Sequence, residues 1–210
     1  MEKHLEVNLK ASYSTLNDLT SETKRIWIVF HGYGMLAKYF IKKFERLDAR
    51  ANFIIAPQGL SKHYLEGFSG KVGAVWMTRE DRLSEINNQI TYLNRVLEEE
   101  KVLNSDASIT LFGFSQGAAT ASRFGAFGNV KFDKLVLWAG TFPPDIPIDR
   151  TEKWGKSKEI LYLTGNQDPF FKEEMIGQQN QLVERATGTL PRLIRFEGKH
   201  EVISDLLFEI

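Results

Sequence analysis

The stretch Gly113-Phe114-Ser115-Gln116-Gly117 constrains this chain more than any other. Ala107-Ser108-Ile109-Thr110-Leu111-Phe112 precedes it, a β-branched and apolar run that reads as a buried strand. Ala118-Ala119-Thr120-Ala121-Ser122-Arg123-Phe124 follows, rich in small residues and suited to a closely packed helix. A strand that turns abruptly into a helix around a serine is a nucleophile elbow. The flanking glycines remove side chains that would clash across so tight a bend. The bend projects the Ser115 hydroxyl outward, and the Gln116 N–H opens the helix towards any developing negative charge. The five-residue pattern alone is common in glycine-rich loops. The strand before it and the helix after it are what give it chemical meaning.

The length of 210 residues suits a single domain, 1–210, with a sizeable core. With 27 basic and 27 acidic side chains the formal charge is zero, so neither nucleic acid nor an anionic membrane surface is expected as a partner. The chain has no cysteine, which excludes disulfides, cysteine nucleophiles and thiolate metal sites. No two histidines have metal-ligand spacing, and no glycine-rich loop ends in Lys-Ser or Lys-Thr; neither a metal nor a cofactor is expected. The N-terminus lacks an apolar signal region and no stretch approaches a transmembrane length. A cytoplasmic protein without an obligatory membrane anchor is the expectation. The oligomeric state is left open, with a homodimer among the possibilities.

Leu5, Val7 and Leu9 alternate with polar residues, which predicts a half-buried strand paired in a hairpin with residues 11–16. Ile26-Trp27-Ile28-Val29-Phe30 is apolar throughout and predicts a central strand. Phe40, Phe44 and Leu47 then recur at helical spacing, and Phe53-Ile54-Ile55-Ala56 is the next strand. Residues 58–78 follow neither period and read as a long functional loop. Ile86, Ile90, Leu93 and Leu97 form the apolar stripe of a long helix. Beyond the elbow, Leu135-Val136-Leu137-Trp138, Ile160-Leu161-Tyr162-Leu163 and Leu193-Ile194-Arg195-Phe196 are further strands. Pro143, Pro144 and Pro147 make residues 141–149 an extended loop. A helix carrying Ile176, Leu182, Val183 and Ala186 and a short closing helix over 202–210 complete the chain. Internal strands separated mostly by helices imply an α/β fold: a mostly parallel central sheet with helices on both faces. The spacings leave no room for a lid domain.

A serine hydroxyl is a weak nucleophile at neutral pH and needs a base, and the base needs an orienting partner. In parallel α/β sheets such groups gather at the carboxyl ends of strands. Asp168 lies five residues after Leu163 and His200 four after Phe196. The order Ser115, Asp168, His200 is the one associated with this elbow. Asp-Pro also commonly starts a turn, and Asp145 and Asp149 in the proline-rich loop are secondary candidates for the acid. Acyl transfer further needs oxyanion donors. Gln116 N–H is one, and Tyr33 N–H in His31-Gly32-Tyr33-Gly34 is the other. His31 itself is assigned a structural role, holding that loop by a hydrogen bond.

These residues resemble the phospholipase/carboxylesterase family of α/β hydrolases, which includes the acyl-protein thioesterases. Gly113-Phe114-Ser115-Gln116-Gly117-Ala118 looks like the family's elbow and His31-Gly32-Tyr33-Gly34 its His-Gly-x-Gly loop. Ala56-Pro57-Gln58 with Val75-Trp76-Met77 resembles the segment before the long helix. Gly165-Asn166-Gln167-Asp168-Pro169 and Gly198-Lys199-His200-Glu201-Val202 match the acid and histidine loops. Two departures stand out: Met35 where the family often has an acid, and Pro169-Phe170-Phe171 where it usually continues to Val-Pro. The resemblance implies an α/β-hydrolase fold and hydrolysis of carboxylic esters, with thioesters and lysophospholipids as further substrates.

The resulting expectation is a cofactor-independent serine hydrolase acting on a small-molecule ester or thioester through an acyl-enzyme on Ser115. A small peptidase on the same fold and a non-catalytic binding module are the rivals. An apolar acyl pocket is expected from Phe68, Val75, Trp76 and Met77 of the long loop with Phe142 and Ile146 of the proline-rich loop. The opposing reading makes Trp76 and Met77 ordinary core residues.

Overall fold

The continuously apolar segments become the strands of one seven-stranded sheet. In the computed structural model, which describes all residues except 2, 148–153, 155–157 and 172, these are β1 (Tyr13–Leu16), β2 (Arg25–Phe30), β3 (Asn52–Pro57), β6 (Ser108–Phe114), β7 (Lys134–Trp138), β8 (Glu159–Gly165) and β9 (Arg192–Phe196). Their order is β1-β3-β2-β6-β7-β8-β9. Every neighbouring pair is parallel except β1 with β3. The helices are α1 (Ala37–Phe40), α2 (Arg82–Glu99), α3 (Gln116–Phe127) and α4 (Glu173–Thr187).

Side chains alternate across the sheet, and each face buries its own half of every strand. Ile26, Ile28 and Phe30 of β2 pack with Leu93, Val96, Phe124 and Val183, so α2, α3 and α4 cover one face. Trp27 and Val29 pack with Phe40, Phe44 and Leu207, so α1 and two 3₁₀ turns, Ile41–Phe44 and Ser204–Glu209, cover the other. Both faces are covered, which explains why β2, β3, β6, β7 and β8 are apolar at nearly every position. Among the described residues no helix is long and apolar enough to cross a membrane.

Four expectations need correction. Leu5, Val7 and Leu9 are exposed and form no strand, so there is no N-terminal hairpin. Period-two alternation shows that two faces differ, not that a partner exists; β1 pairs with β3 instead. Residues 58–78 are not a structureless loop, because β4 (Ser61–Tyr64) and β5 (Val72–Val75) pair there as an antiparallel hairpin. β4 is largely exposed and β5 is Val-Gly-Ala-Val, so neither carries a readable alternation. The stripe Phe40, Phe44 and Leu47 is buried as expected, but only one turn is α-helical before the backbone tightens. The closing helix is likewise 3₁₀.

Phe112 of β6 sits at the centre of an aromatic cluster. Its ring lies 5.2 Å from Phe44, 5.6 Å from Trp138, 6.3 Å from Phe40 and 6.4 Å from Trp27. These neighbours come from four separate elements and cannot all collapse into a vacated site. Phe112→Ala should therefore destabilise the protein by about 3–5 kcal/mol. Equilibrium urea unfolding measures this; a loss below about 1 kcal/mol would show that the cluster repacks.

Candidate active site

β6 ends at Phe114 and α3 begins at Gln116, so the whole turn is made at Ser115, with φ 54° and ψ −118°. A non-glycine residue held there costs on the order of 1–3 kcal/mol, and its surroundings must over-determine it. Ser115 N–H donates to the Trp138 carbonyl at 2.9 Å, and the Ser115 carbonyl accepts from Ala118 N–H at 3.0 Å. Gly117 lets α3 press directly on the end of β2: a Cβ there would stand 2.2 Å from the Phe30 carbonyl oxygen. The turn brings the Ser115 Oγ within hydrogen-bond reach of the loop after β9.

The loops after β8 and β9 hold each other beside this turn. Asn166 N–H donates to the Phe196 carbonyl at 2.9 Å and Gln167 N–H to the Gly198 carbonyl at 3.0 Å. Asp168 comes to lie with its side chain 0% exposed. One of its oxygens accepts from Phe170 N–H at 2.8 Å and Phe171 N–H at 3.1 Å. The other is 2.8 Å from His200 Nδ1, and His200 Nε2 is 2.9 Å from Ser115 Oγ. An ionised carboxylate only accepts, so it holds the proton on Nδ1 and leaves Nε2 to accept from the serine hydroxyl. The imidazole packs against the rings of Phe114 and Phe170, at 5.0 and 4.9 Å. Such an array can take a proton from a hydroxyl and return it to a leaving group.

The alternative acids are not so placed. Asp145 accepts two bonds from the buried Arg123 fork, each 3.1 Å, and pairs with Arg82 at 2.9 Å. Burial alone would raise its carboxyl pKa, but the two guanidinium groups more than offset this and hold it below the usual range. Asp149 lies outside the described residues.

His31, at the carboxyl end of β2, is 0% exposed. Its Nδ1–H donates to the Gly32 carbonyl at 2.8 Å, and its Nε2 accepts from Gly59 N–H and the Gln58 side chain, both at 3.0 Å. It thus ties the loop 31–34 to the end of β3. Among the described residues neither Tyr33 N–H nor Gln116 N–H, the two expected oxyanion donors, donates in a turn, loop or cap bond to another backbone group. Among the described residues no group of three or more His, Asp or Glu side chains could hold a metal ion.

The six expected pocket residues divide by exposure, and three of them, Trp76, Phe142 and Ile146, share one buried cluster. Phe68 is 98% exposed, while Trp76, Val75, Phe142 and Ile146 are buried in the core. Met77 is half-buried against Arg123, whose Nη1 lies 3.3 Å from its sulfur. The core reading of Trp76 is the one the structure bears out: at 1% exposure it donates its indole N–H to the His31 carbonyl at 2.8 Å. Conversely, Phe170, read from the sequence only as a departure from the family pattern and not as a site residue, is 71% exposed with its ring beside His200. Its position two residues after Asp168 was the available signal.

Burial pushes the His31 imidazole down to about 4, partly countered by its bond to the Gly32 carbonyl. Released in the unfolded chain, the ring regains a value of about 6.5. On acidification the unfolded state therefore binds the proton first, and stability falls from about pH 6.5 until the folded-state value is reached. This group should cost about 2 kcal/mol between about pH 7 and about pH 5. Urea unfolding at both pH values should show that component in the wild type and not in His31→Gln. Equal losses in the two proteins would contradict it.

Several solved structures are similar to this one. Acyl-protein thioesterase 2 of Zea mays is 16% identical over 95% of this chain and 96% of that chain, with a TM-score of 0.73. A carboxylesterase from Mesorhizobium loti is 15% identical, over 90% and 88%, with a TM-score of 0.66. A phospholipase/carboxylesterase from Dyadobacter fermentans is 16% identical, over 94% and 91%, with a TM-score of 0.61. At such identities the likeness is one of fold, and the fold is that of the α/β hydrolases. A search of curated protein sequences finds no match. The model of the family described as Serine hydrolase (FSH1) matches residues 20–205. That span covers most of the sequence, from before β2 to beyond His200, and the chain belongs to the serine hydrolase (FSH1) family.

Proposed function

We propose that the protein hydrolyses small carboxylic esters, thioesters and lysophospholipids being members of the same acyl-carbonyl class, through an acyl-enzyme on Ser115. One observation carries this reading: an unbroken hydrogen-bonded line from buried Asp168 through His200 to Ser115, at 2.8 and 2.9 Å, ending on a serine at φ 54°. Ser115 Oγ attacks the acyl carbonyl while His200 Nε2 takes its proton. The oxyanion is held by Tyr33 and Gln116 N–H. His200 then protonates the departing alcohol or thiol. Water, deprotonated by the same nitrogen, attacks the acyl-enzyme, and the acyl–Oγ bond breaks as His200 returns that proton to Ser115, releasing the acid. Asp168 takes no part in the proton transfer itself; it holds the tautomer and stabilises the imidazolium. The balanced charge of the chain, 27 basic against 27 acidic residues, supports a small substrate rather than a polyanion, and its lack of cysteine suits the cytoplasm.

Ser115→Ala should abolish covalent labelling by a fluorophosphonate and lower p-nitrophenyl acetate turnover by at least about a thousandfold. Undiminished labelling of that variant would identify a different nucleophile.

Asp168→Asn should preserve the fold and lower kcat by about 10⁴-fold, because an amide can stabilise the wrong imidazole tautomer. Near-normal turnover in Asp168→Asn, with Asp145→Asn impaired instead, would move the role of the acid.

A further inference from the structure

We propose that residues 73–77 form a strap that positions both oxyanion donors at once, with the Gln116 side chain as its locking, positioning residue. The inference deepens the reading of Ser115 as nucleophile and rests on it. At one end of the strap Ala74 pairs with the loop that bears Tyr33. Gly34 N–H donates to the Ala74 carbonyl at 2.9 Å, and Ala74 N–H donates to the Met35 carbonyl at 3.2 Å. Gly73 allows this approach, since a Cβ there would stand 2.4 Å from the Gly34 carbonyl oxygen. At the other end Trp76 N–H donates to Gln116 Oε1 at 3.0 Å, and Gln116 Nε2 donates to the Met77 carbonyl at 2.9 Å. In between, the Gln89 side-chain amide donates to the Trp76 carbonyl.

The chemistry gives this arrangement a purpose. Two N–H groups stabilise one developing oxyanion only when both lie about 2.7–3.1 Å from the same point. Tyr33 follows β2 and Gln116 opens α3, so the separation of their donors is a distance between two elements. The strap is hydrogen-bonded to both sides of that gap. Position 116 needs an acceptor and a donor at the end of one side chain, and a primary amide carries both. Glutamate would keep the bond from Trp76 N–H and lose the one to the Met77 carbonyl. Methionine would lose both while leaving the backbone N–H in place.

The test uses the full chain and p-nitrophenyl acetate, with complete fluorophosphonate labelling as the check that Ser115 remains competent. Gln116→Met should lower kcat by about 10–100-fold with KM changed less than about twofold, since only the tetrahedral species feels the displaced donor. Gln116→Glu should recover part of that loss. Gly73→Ala, which forces the hairpin off Gly34, should also act on kcat. The double variant should fall short of the product of the single losses, because both changes disrupt one shared positioning element. Should Gly73→Ala not fold, the two Gln116 variants decide the matter alone. Wild-type kcat in a fully labelling Gln116→Met, a loss confined to KM, or a multiplicative double variant would each overturn the strap while leaving the nucleophile intact. A wild type that does not label would overturn the nucleophile reading and the strap with it.

Discussion

The rest of the structure turns on the backbone of Ser115. A serine at φ 54° is unfavourable by on the order of 1–3 kcal/mol. The relief comes from neighbours. The Trp138 carbonyl of β7 takes the Ser115 N–H, and the end of β2 leaves room for α3 only because residue 117 lacks a side chain. Both neighbours are strands parallel to β6, registered so that Phe30 meets Gly113 and Phe114 meets Trp138. The register of the sheet therefore sets the position of the serine hydroxyl. This is why so large a part of the core, including Phe112 and its four aromatic neighbours, lies immediately behind the elbow.

The same logic separates Asp168 from Asp145. Asp168 and Asp145 both lie in loops beyond parallel strands, and both are satisfied by hydrogen bonds. Two of the donors to Asp168 are backbone amides, which add no mobile countercharge, so its second oxygen is free to orient His200. Asp145 instead meets the guanidinium groups of Arg123 and Arg82. A carboxylate so neutralised braces the proline-rich loop against α3 and α2, and its charge is no longer available to a nearby imidazole.

How far the sequence could be read follows from what each signal encodes. Runs such as Ile26–Phe30 are legible because burial on both faces of a parallel strand demands apolar residues at every position. Ser115, Asp168 and His200 are legible as a set because parallel topology sends successive loops to one edge, so chain order carries spatial information. Leu5, Val7 and Leu9 mislead because alternation specifies faces without specifying a partner strand. The hairpin of β4 and β5 is invisible for the opposite reason: its exposed and glycine-containing strands have no pattern, although their pairing is regular. Trp76 and Phe142 show a third limit. An aromatic side chain in a core and one lining a pocket have the same composition, and only packing distinguishes them.

Trp76 also shows that core and site are not separable here. Its ring packs against Phe30 at 5.6 Å and against His31 at 4.8 Å, and its indole N–H holds the His31 carbonyl. Its backbone N–H and carbonyl are taken by Gln116 and Gln89. Removing that side chain would open a large cavity, and removal of a buried tryptophan costs about 3–5 kcal/mol, enough to obscure any effect on chemistry. Gln116 is different. It is only half-buried, and it reaches the strap through its side-chain amide alone. Truncating it perturbs the spacing of the donors and leaves the apolar packing of Trp76 in place. A loss of kcat in that variant therefore reports on geometry and not on the integrity of the core.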